Sequence, residues 1–179
     1  MDGPWSAIAK DFSDLQDVAR LLQVAVRMAM AAVLGGILGW QRQRAGKEAG
    51  VRTHMLVGLG TTVFVLVAEL ENFDDEALSR VVQGVAAGVG FLGGGTILKL
   101  PQARRIEGLT TAAGIWLTAA IGVAVGNGRL GSALIATLLA WAILELVHLV
   151  ETRVSRPAAM PPAEVPARET SPPPSSPQS

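Results

Sequence analysis

Five apolar runs, each long enough to cross a lipid bilayer, constrain this chain more than any other feature of its sequence. They cover about residues 20–40, 51–70, 81–98, 109–125 and 130–150. Half of the residues are hydrophobic and only 17% are charged, a balance that suits a membrane protein better than a soluble domain. At about 1.5 Å per residue, each run can cross roughly 30 Å of hydrocarbon as a helix. We therefore predict an all-α membrane protein with five transmembrane helices.

Charges in the connecting segments predict the orientation of these helices. Basic residues follow the first, third and fifth runs, whereas the second run is followed by five acids and a single arginine, and the fourth by Arg129 alone. Cytoplasmic loops are enriched in Lys and Arg, so we expect the N-terminus outside and the C-terminus in the cytoplasm. The same basic face would attract anionic lipid headgroups; its residues are Arg42, Arg44, Lys47, Arg52, Lys99, Arg104 and Arg105.

Segments at both ends flank the membrane domain predicted for residues 20–153. Residues 1–19 form a periplasmic segment in this topology, and its apolar residues recur at helical spacing, as Trp5, Ile8, Phe12 and Leu15 show. This segment is either a short amphipathic helix at the interface or a frayed terminus. Residues 154–179 are rich in proline and poor in apolar residues, which predicts a disordered cytoplasmic tail, either inert or a ligand of a proline-binding module.

Small residues recur at helical spacing in three of the runs. The third run contains Gly84–Leu98, GVAAGVGFLGGGTIL, where Gly84, Gly88 and Gly95 share one helical face. The first and fourth runs carry further stripes, formed by Ala31, Gly35 and Gly39 and by Thr110, Gly114, Thr118 and Gly122. Such stripes let helix backbones approach closely in lipid, either within the chain or against a helix of another protein. We expect the third run to be a packing hub whose helix loosens at its triple glycine.

Arg27 is the charged residue that lies deepest in the first run, about 9 Å from its outer end. It continues the small-residue stripe, so its side chain is expected to point toward other helices rather than lipid. A guanidinium at this depth must reach the surface or find an acidic or carbonyl partner. Glu69 lies at a comparable depth, and we predict an Arg27–Glu69 ion pair, with Glu71 and the acidic loop as competitors.

A second polar group is predicted at the inner side of the membrane. Glu145 and His148 are three residues apart on one face of the fifth run, and His54 lies near the inner end of the second. These three residues form either a small metal or proton site or interfacial hydrogen bonds. No nucleophilic triad and no pair of carboxylates within a run is visible, and cysteine is absent. We predict no enzymatic activity, no cofactor and no nucleic-acid partner.

Three linked motifs resemble the MgtC/SapB family of bacterial membrane proteins. They are GGILGWQRQRAGKEAGVRTHMLVGLG, GVGFLGGGTIL and EGLTTAAGIWLTAAIGVAVGNG, in a region from about Arg27 to Gly128. The functional motif implied by the resemblance comprises Arg27, Gly39, Arg42, Gly50, Arg52, Thr53, Gly90, Phe91, Gly93, Gly94, Gly95, Gly108, Leu109, Thr110 and Thr111; Gly35, Ala112 and Trp116 also match.

The resemblance implies a multi-pass protein of the bacterial inner membrane, linked to growth in low magnesium and, in pathogens, to survival inside host cells. It implies a regulator that binds other membrane proteins, including the ATP synthase, through its small-residue faces. The alternatives are a Mg²⁺ transporter or channel using carbonyls freed at Gly93–Gly95, or a lipid-binding assembly factor; homo-oligomerisation stays open. Two departures are Gln41, where the family usually has glutamate, and the proline-rich tail in place of an ACT-like domain.

Overall fold

The computed structural model describes Trp5 and residues 17–100 and 105–154, with side chains except those of residues 98–100, 105–106 and 148–154. Five helices in these residues are long and apolar enough to cross a membrane, which confirms the predicted fold class. They are α1 (Val18–Arg44), α2 (Val51–Leu70), α3 (Asp75–Gly94), α4 (Leu109–Gly126) and α5 (Leu130–Val154). Most of the predicted amphipathic segment and of the proline-rich tail lies outside the described residues.

Helix α3 begins and ends earlier than the predicted span 81–98. It begins at Asp75 because the Asp74 side chain caps it, accepting the Ala77 N–H at 2.7 Å. Asp75 and Glu76 in the first turn favour the positive end of the helix dipole. The helix ends inside the triple glycine, where Thr96 Oγ1 donates to the Gly93 carbonyl at 2.8 Å. The expected loosening at the glycines is therefore a helix terminus.

A short hairpin, which the sequence analysis does not predict, joins α3 to α4. Strand β1 (Leu98–Leu100) pairs antiparallel with β2 (Arg105–Glu107). Gly108 then turns the chain into α4 with a φ of +89°, in the left-handed region that favours glycine. A Cβ at this position would also lie 2.8 Å from the Thr96 carbonyl carbon, so the turn has no room for a side chain.

Helices α1, α2 and α4 make the most extensive contacts with one another, α5 adds the buried Ala133 and Ala140 to the hydrophobic core that it forms with α1 and α4, and α3 lies on the outside. Helix α5 packs on α1 and α4, and α3 packs on α4 and α2. Successive helices run antiparallel. One end of the bundle, called the basic end, holds the α1–α2 loop and the hairpin; the other, called the acidic end, holds the α2–α3 and α4–α5 loops. Which end faces the cytoplasm stays a prediction from the loop charges.

The glycines of α1, α2 and α4 bring these three helices into backbone contact. A Cβ on Gly39 would lie 2.7 Å from the Val51 Cα, and one on Gly58 would lie 2.9 Å from the Ala31 carbonyl oxygen. A Cβ on Gly122 would lie 2.6 Å from the Gly58 carbonyl oxygen. Distances this short leave no room for any side chain, so the stripes of α1 and α4 serve packing inside the bundle.

The expectation that the third run is a packing hub is wrong for the described chain. A Cβ on Gly84, Gly88, Gly90 or Gly94 would meet no atom within 4 Å, and Gly93 alone among α3 residues is buried. The reason is that α3 lies outside the bundle and turns its valines toward it. The half-buried side of α3 consists of Val81, Val82, Val85, Ala86 and Val89.

Candidate functional site

A buried polar cluster lies near the basic end, where α1, α2 and α4 meet. It consists of Arg42 near the end of α1, His54 in the first turn of α2 and Thr111 in the first turn of α4. Arg42 is 3% exposed and His54 is fully buried. Arg42 Nη2 donates to Thr111 Oγ1 at 3.4 Å, and the guanidinium is close enough to His54 for electrostatic interaction. We call these three residues the buried polar cluster.

Several polar atoms in and beside this cluster have no hydrogen-bond partner among the described residues. They are Arg42 Nε, both imidazole nitrogens of His54 and the side-chain oxygen of Gln41. Buried polar groups in proteins are almost always hydrogen-bonded, because an unpaired one loses its water without compensation. Four such atoms in one region therefore indicate a site with chemistry beyond packing.

Glycines of α1 create the cluster by letting the start of α2 approach. A Cβ on Gly35 would lie 2.9 Å from the His54 carbonyl carbon, and one on Gly39 would lie 2.8 Å from the Gly50 carbonyl oxygen. Across the cluster, a Cβ on Gly114 would make ordinary van der Waals contact with His54 Nε2, at 3.5 Å. His54 is thus enclosed between α1 and α4, because Gly35 lets its backbone approach α1 and Gly114 lets its imidazole approach α4.

Apart from Arg27, which lies near the acidic end, the residues of the family-like motif separate into two groups. Gly39, Arg42, Gly50 and Thr111 surround or form the buried polar cluster, and Gly93 packs on Ala112 of α4. The others lie at the turn into α4 or on more accessible surface. Gly108 forms the turn, Thr53 is half-buried, and Arg52, Gly90, Phe91, Gly94, Gly95, Leu109 and Thr110 are exposed.

The structure brings Arg27 and Glu69 together near the acidic end. Arg27 Nη1 forms an ion pair with Glu69 Oε2 and also donates to the Gly126 carbonyl at 2.9 Å. The Arg27 side chain is 12% exposed, and that of Glu69 is 46% exposed. One guanidinium therefore joins α1, the end of α2 and the end of α4. A second arginine, Arg20, reaches the Leu70 carbonyl at 3.4 Å.

A substitution at Gly128 provides a first test of how Arg27 stabilises the bundle. It has a φ of +70°, and a Cβ there would lie 2.8 Å from Arg27 Nη2. Gly46 provides a matched control, since its φ is +68° and its Cβ would meet no atom within 4 Å. We expect Gly46→Ala to cost about 1 kcal/mol of unfolding free energy through backbone strain. Gly128→Ala should cost about 1 kcal/mol more, because the methyl group displaces Arg27 from its bonds.

Denaturant titration of both variants in detergent micelles measures this difference. Repeating the comparison in an Arg27→Met background should remove the additional cost at Gly128. Equal losses for both glycines in the wild-type background would contradict a role of Gly128 in seating the arginine.

The predicted group of His54, Glu145 and His148 is not assembled in the part of the chain that the structure describes. His54 lies between α1 and α4, whereas α5, which carries Glu145, packs on α1 and α4 and has no extensive contact with α2. Glu145 is partly buried, and the side chain of His148 lies outside the described residues. No group of three or more His, Asp or Glu side chains suited to a metal ion occurs among the described residues.

The loop charges predict that Arg42 belongs to a basic surface, and the motif implied by the family resemblance includes Thr111, but neither links Arg42 to His54. The spacing of the apolar residues in α1 indicates that Arg42 is buried. Ala31, Leu34, Leu38 and Arg42 follow one another at intervals of three or four residues, and all four are buried. Arg42 therefore continues the buried face of α1, whereas Arg44, two residues later, is exposed and stacks on the ring of Trp40.

Comparison with known proteins agrees with the resemblance to the MgtC/SapB family. The profile of the MgtC family matches residues 28–153. Protein SrpB of Synechococcus elongatus is 46% identical over 127 residues, 65% of this chain and 70% of SrpB. The putative magnesium transporter YhiD of Escherichia coli is 40% identical over 136 residues, 72% of this chain and 62% of YhiD. Protein MgtC of Brucella abortus is 36% identical over 146 residues, 79% of this chain and 60% of that protein.

The matched segment thus spans about three fifths of YhiD and of the Brucella protein. No solved structure matches the chain significantly.

Proposed function

Because the chain belongs to the MgtC family, we propose that this multi-pass membrane protein is a non-enzymatic regulator in the bacterial inner membrane. It acts by binding other membrane proteins, and the ATP synthase is the first partner to test. In this proposal it supports adaptation to low magnesium and, in a pathogen, survival inside host cells. The cytoplasm lies at the basic end, as the loop charges predict.

The observation that carries this proposal is the free glycine face of α3. Gly39 of α1, Gly58 of α2 and Gly122 of α4 face neighbouring backbone. A Cβ on Gly84 or Gly88, by contrast, would meet no atom within 4 Å. They lie one helical turn apart, a spacing that favours close contact with another transmembrane helix.

The glycine face also borders a groove that is large enough for side chains of a partner helix. This groove has a volume of ≈ 400 Å³ and is almost wholly apolar. Its walls come from α2 and α3, with Thr61 and Phe64 on one side and Val81, Val85 and Val89 on the other. A transmembrane helix is the occupant we propose, because it combines apolar side chains for the groove with a backbone that can approach the glycines.

Filling the glycine face provides the test. We expect the double variant Gly84→Leu, Gly88→Leu to lose about tenfold or more of its copurification with the ATP synthase from native membranes, because the leucines hold the partner backbone away. Gly131→Leu is the matched control: Gly131 also has open space around it, but it lies on α5, which does not pack on α3.

Equal recovery of the partner by both variants would contradict the proposed face. No recovery of the ATP synthase by the wild-type protein would contradict that choice of partner. The unfolding free energy of the double variant should stay near that of the wild type, because a Cβ at either position meets no atom within 4 Å and the adjacent groove has room for the rest of each leucine.

A magnesium transporter is the second candidate, and the name of the 40%-identical relative YhiD is the observation that favours it. The helix end at Gly93–Gly95 offers backbone carbonyls, and Mg²⁺ requires oxygen ligands. Purified protein in liposomes with a Mg²⁺-sensitive dye separates the two candidates. Saturable flux that Gly94→Leu abolishes would overturn the regulator proposal, and partner binding without flux would overturn the transporter.

A further inference from the structure

Arg42 is a buried cation without an acidic partner in the described part of the chain. The residue is only 3% exposed, and the single hydrogen bond of its guanidinium there is to the hydroxyl of Thr111. Glu48, which follows α1, and Glu107, which precedes α4, are both exposed, and neither forms an ion pair with Arg42. A buried charge normally requires a counterion, because the cost of removing it from water is several kcal/mol.

Two helix N-termini add positive potential at the same place. Thr111 is the third residue of α4 and His54 is the fourth residue of α2, so both lie in first turns. The residues before these helices, Gly108 and Gly50, have no side chain to cap them, and the side chain of Gln43 accepts only the Val51 N–H of α2, at 3.4 Å. The unpaired N–H groups at a helix N-terminus favour an anion.

Two unpartnered donors of the cluster also favour an anion. Arg42 Nε is a donor without an acceptor, and a neutral His54 carries one further N–H donor. The same region also holds two unpartnered acceptors, the side-chain oxygen of Gln41 and the second imidazole nitrogen, but the charge of Arg42 has no negative counterpart among the described residues. The donor set matches a compact oxyanion, which offers several acceptor oxygens and a negative charge.

We propose that the buried polar cluster binds a phosphate group, supplied either by an anionic phospholipid headgroup or by a free phosphate ion. Arg42 provides the charge, Thr111 orients the guanidinium and His54 donates one hydrogen bond. The site lies between α1, α2 and α4, apart from the glycine face of α3, so it does not depend on the proposed partner binding.

Thermal unfolding of the full chain in a neutral detergent tests this proposal with two probes. The first is inorganic phosphate against chloride at equal ionic strength, and the second is phosphatidylglycerol against diacylglycerol at equal mole fraction. We expect at least one probe to raise the Tm by about 3–6 °C at ten times its dissociation constant. A shift with phosphate alone identifies the free ion, and one with phosphatidylglycerol alone identifies the headgroup.

Two variants should abolish the shift by different routes. Arg42→Met removes the cation, and without either probe it should have a higher Tm than the wild type, because it carries no unpaired charge. Thr111→Asp keeps the cation but supplies a carboxylate beside the guanidinium, in a first helical turn where an acid is favoured. It therefore tests the proposal even if Arg42→Met does not fold.

Arg44→Gln is the matched control, because Arg44 has the same charge at the same end of the bundle but is exposed. It should retain the full shift in Tm. The proposal is overturned if neither probe stabilises the wild type, or if Arg42→Met or Thr111→Asp retains the shift of the wild type.

Discussion

Replacing Gly122 by alanine is expected to destabilise the bundle strongly, although it adds only one methyl group. The new Cβ would lie 2.6 Å from the Gly58 carbonyl oxygen and would overlap the hydroxyl of Thr61. Helix α4 would have to move away from α2, which would also stretch the 2.8 Å hydrogen bond from Thr62 Oγ1 to the Gly122 carbonyl. We expect a loss of about 2–3 kcal/mol of unfolding free energy.

Gly88→Ala is the matched control for this prediction. It makes the same substitution in the interior of a membrane-spanning helix, but its Cβ meets no atom within 4 Å. Its unfolding free energy should stay within about 0.5 kcal/mol of the wild type. Denaturant titration in micelles measures both variants, and equal stability of the two would contradict the close α2–α4 contact.

The comparison of these two glycines shows what the sequence could and could not predict about packing. Small residues spaced four apart occur in α3, at Gly84 and Gly88, and in α4, and the two patterns look alike in the sequence. Whether a stripe is filled depends on which helices become neighbours, and that follows from the packing of the whole bundle. In α4 the complementary surface comes from Gly58, Thr61 and Thr62 of α2, far away in sequence.

The two polar sites also differ in how far they could be predicted from the sequence. The Arg27–Glu69 contact follows from topology, since α1 and α2 are antiparallel neighbours and these two residues lie at comparable distances from the loop that joins the helices. The cluster of Arg42, His54 and Thr111 depends on close approach at Gly35 and Gly39, which seals residues at helix ends away from water. Loop-charge counting treats such residues as exposed, so it assigned Arg42 to the surface.

Neutralising Glu69 is expected to destabilise the protein more than removing Arg27 does. Glu69→Gln leaves the Arg27 charge, which is 12% exposed, with only the Gly126 carbonyl and a neutral amide. Arg27→Met instead leaves Glu69, whose side chain is 46% exposed and can be solvated, and it places an apolar side chain inside the bundle. We expect losses of about 1–2 kcal/mol for Glu69→Gln and less than about 1 kcal/mol for Arg27→Met.

A double-mutant cycle measured by denaturant titration checks this order and isolates the interaction between the two residues. In the Arg27→Met background, Glu69→Gln should cost nothing, because no buried charge is left to compensate. Glu71→Gln is the control substitution, since Glu71 caps the end of α2 through its backbone and is exposed. A larger loss for Arg27→Met than for Glu69→Gln would mean that the arginine stabilises the bundle mainly through the Gly126 carbonyl. Additive losses would mean that the contact between Arg27 and Glu69 is without energetic consequence, and that α1 and α2 are joined at this end by other contacts.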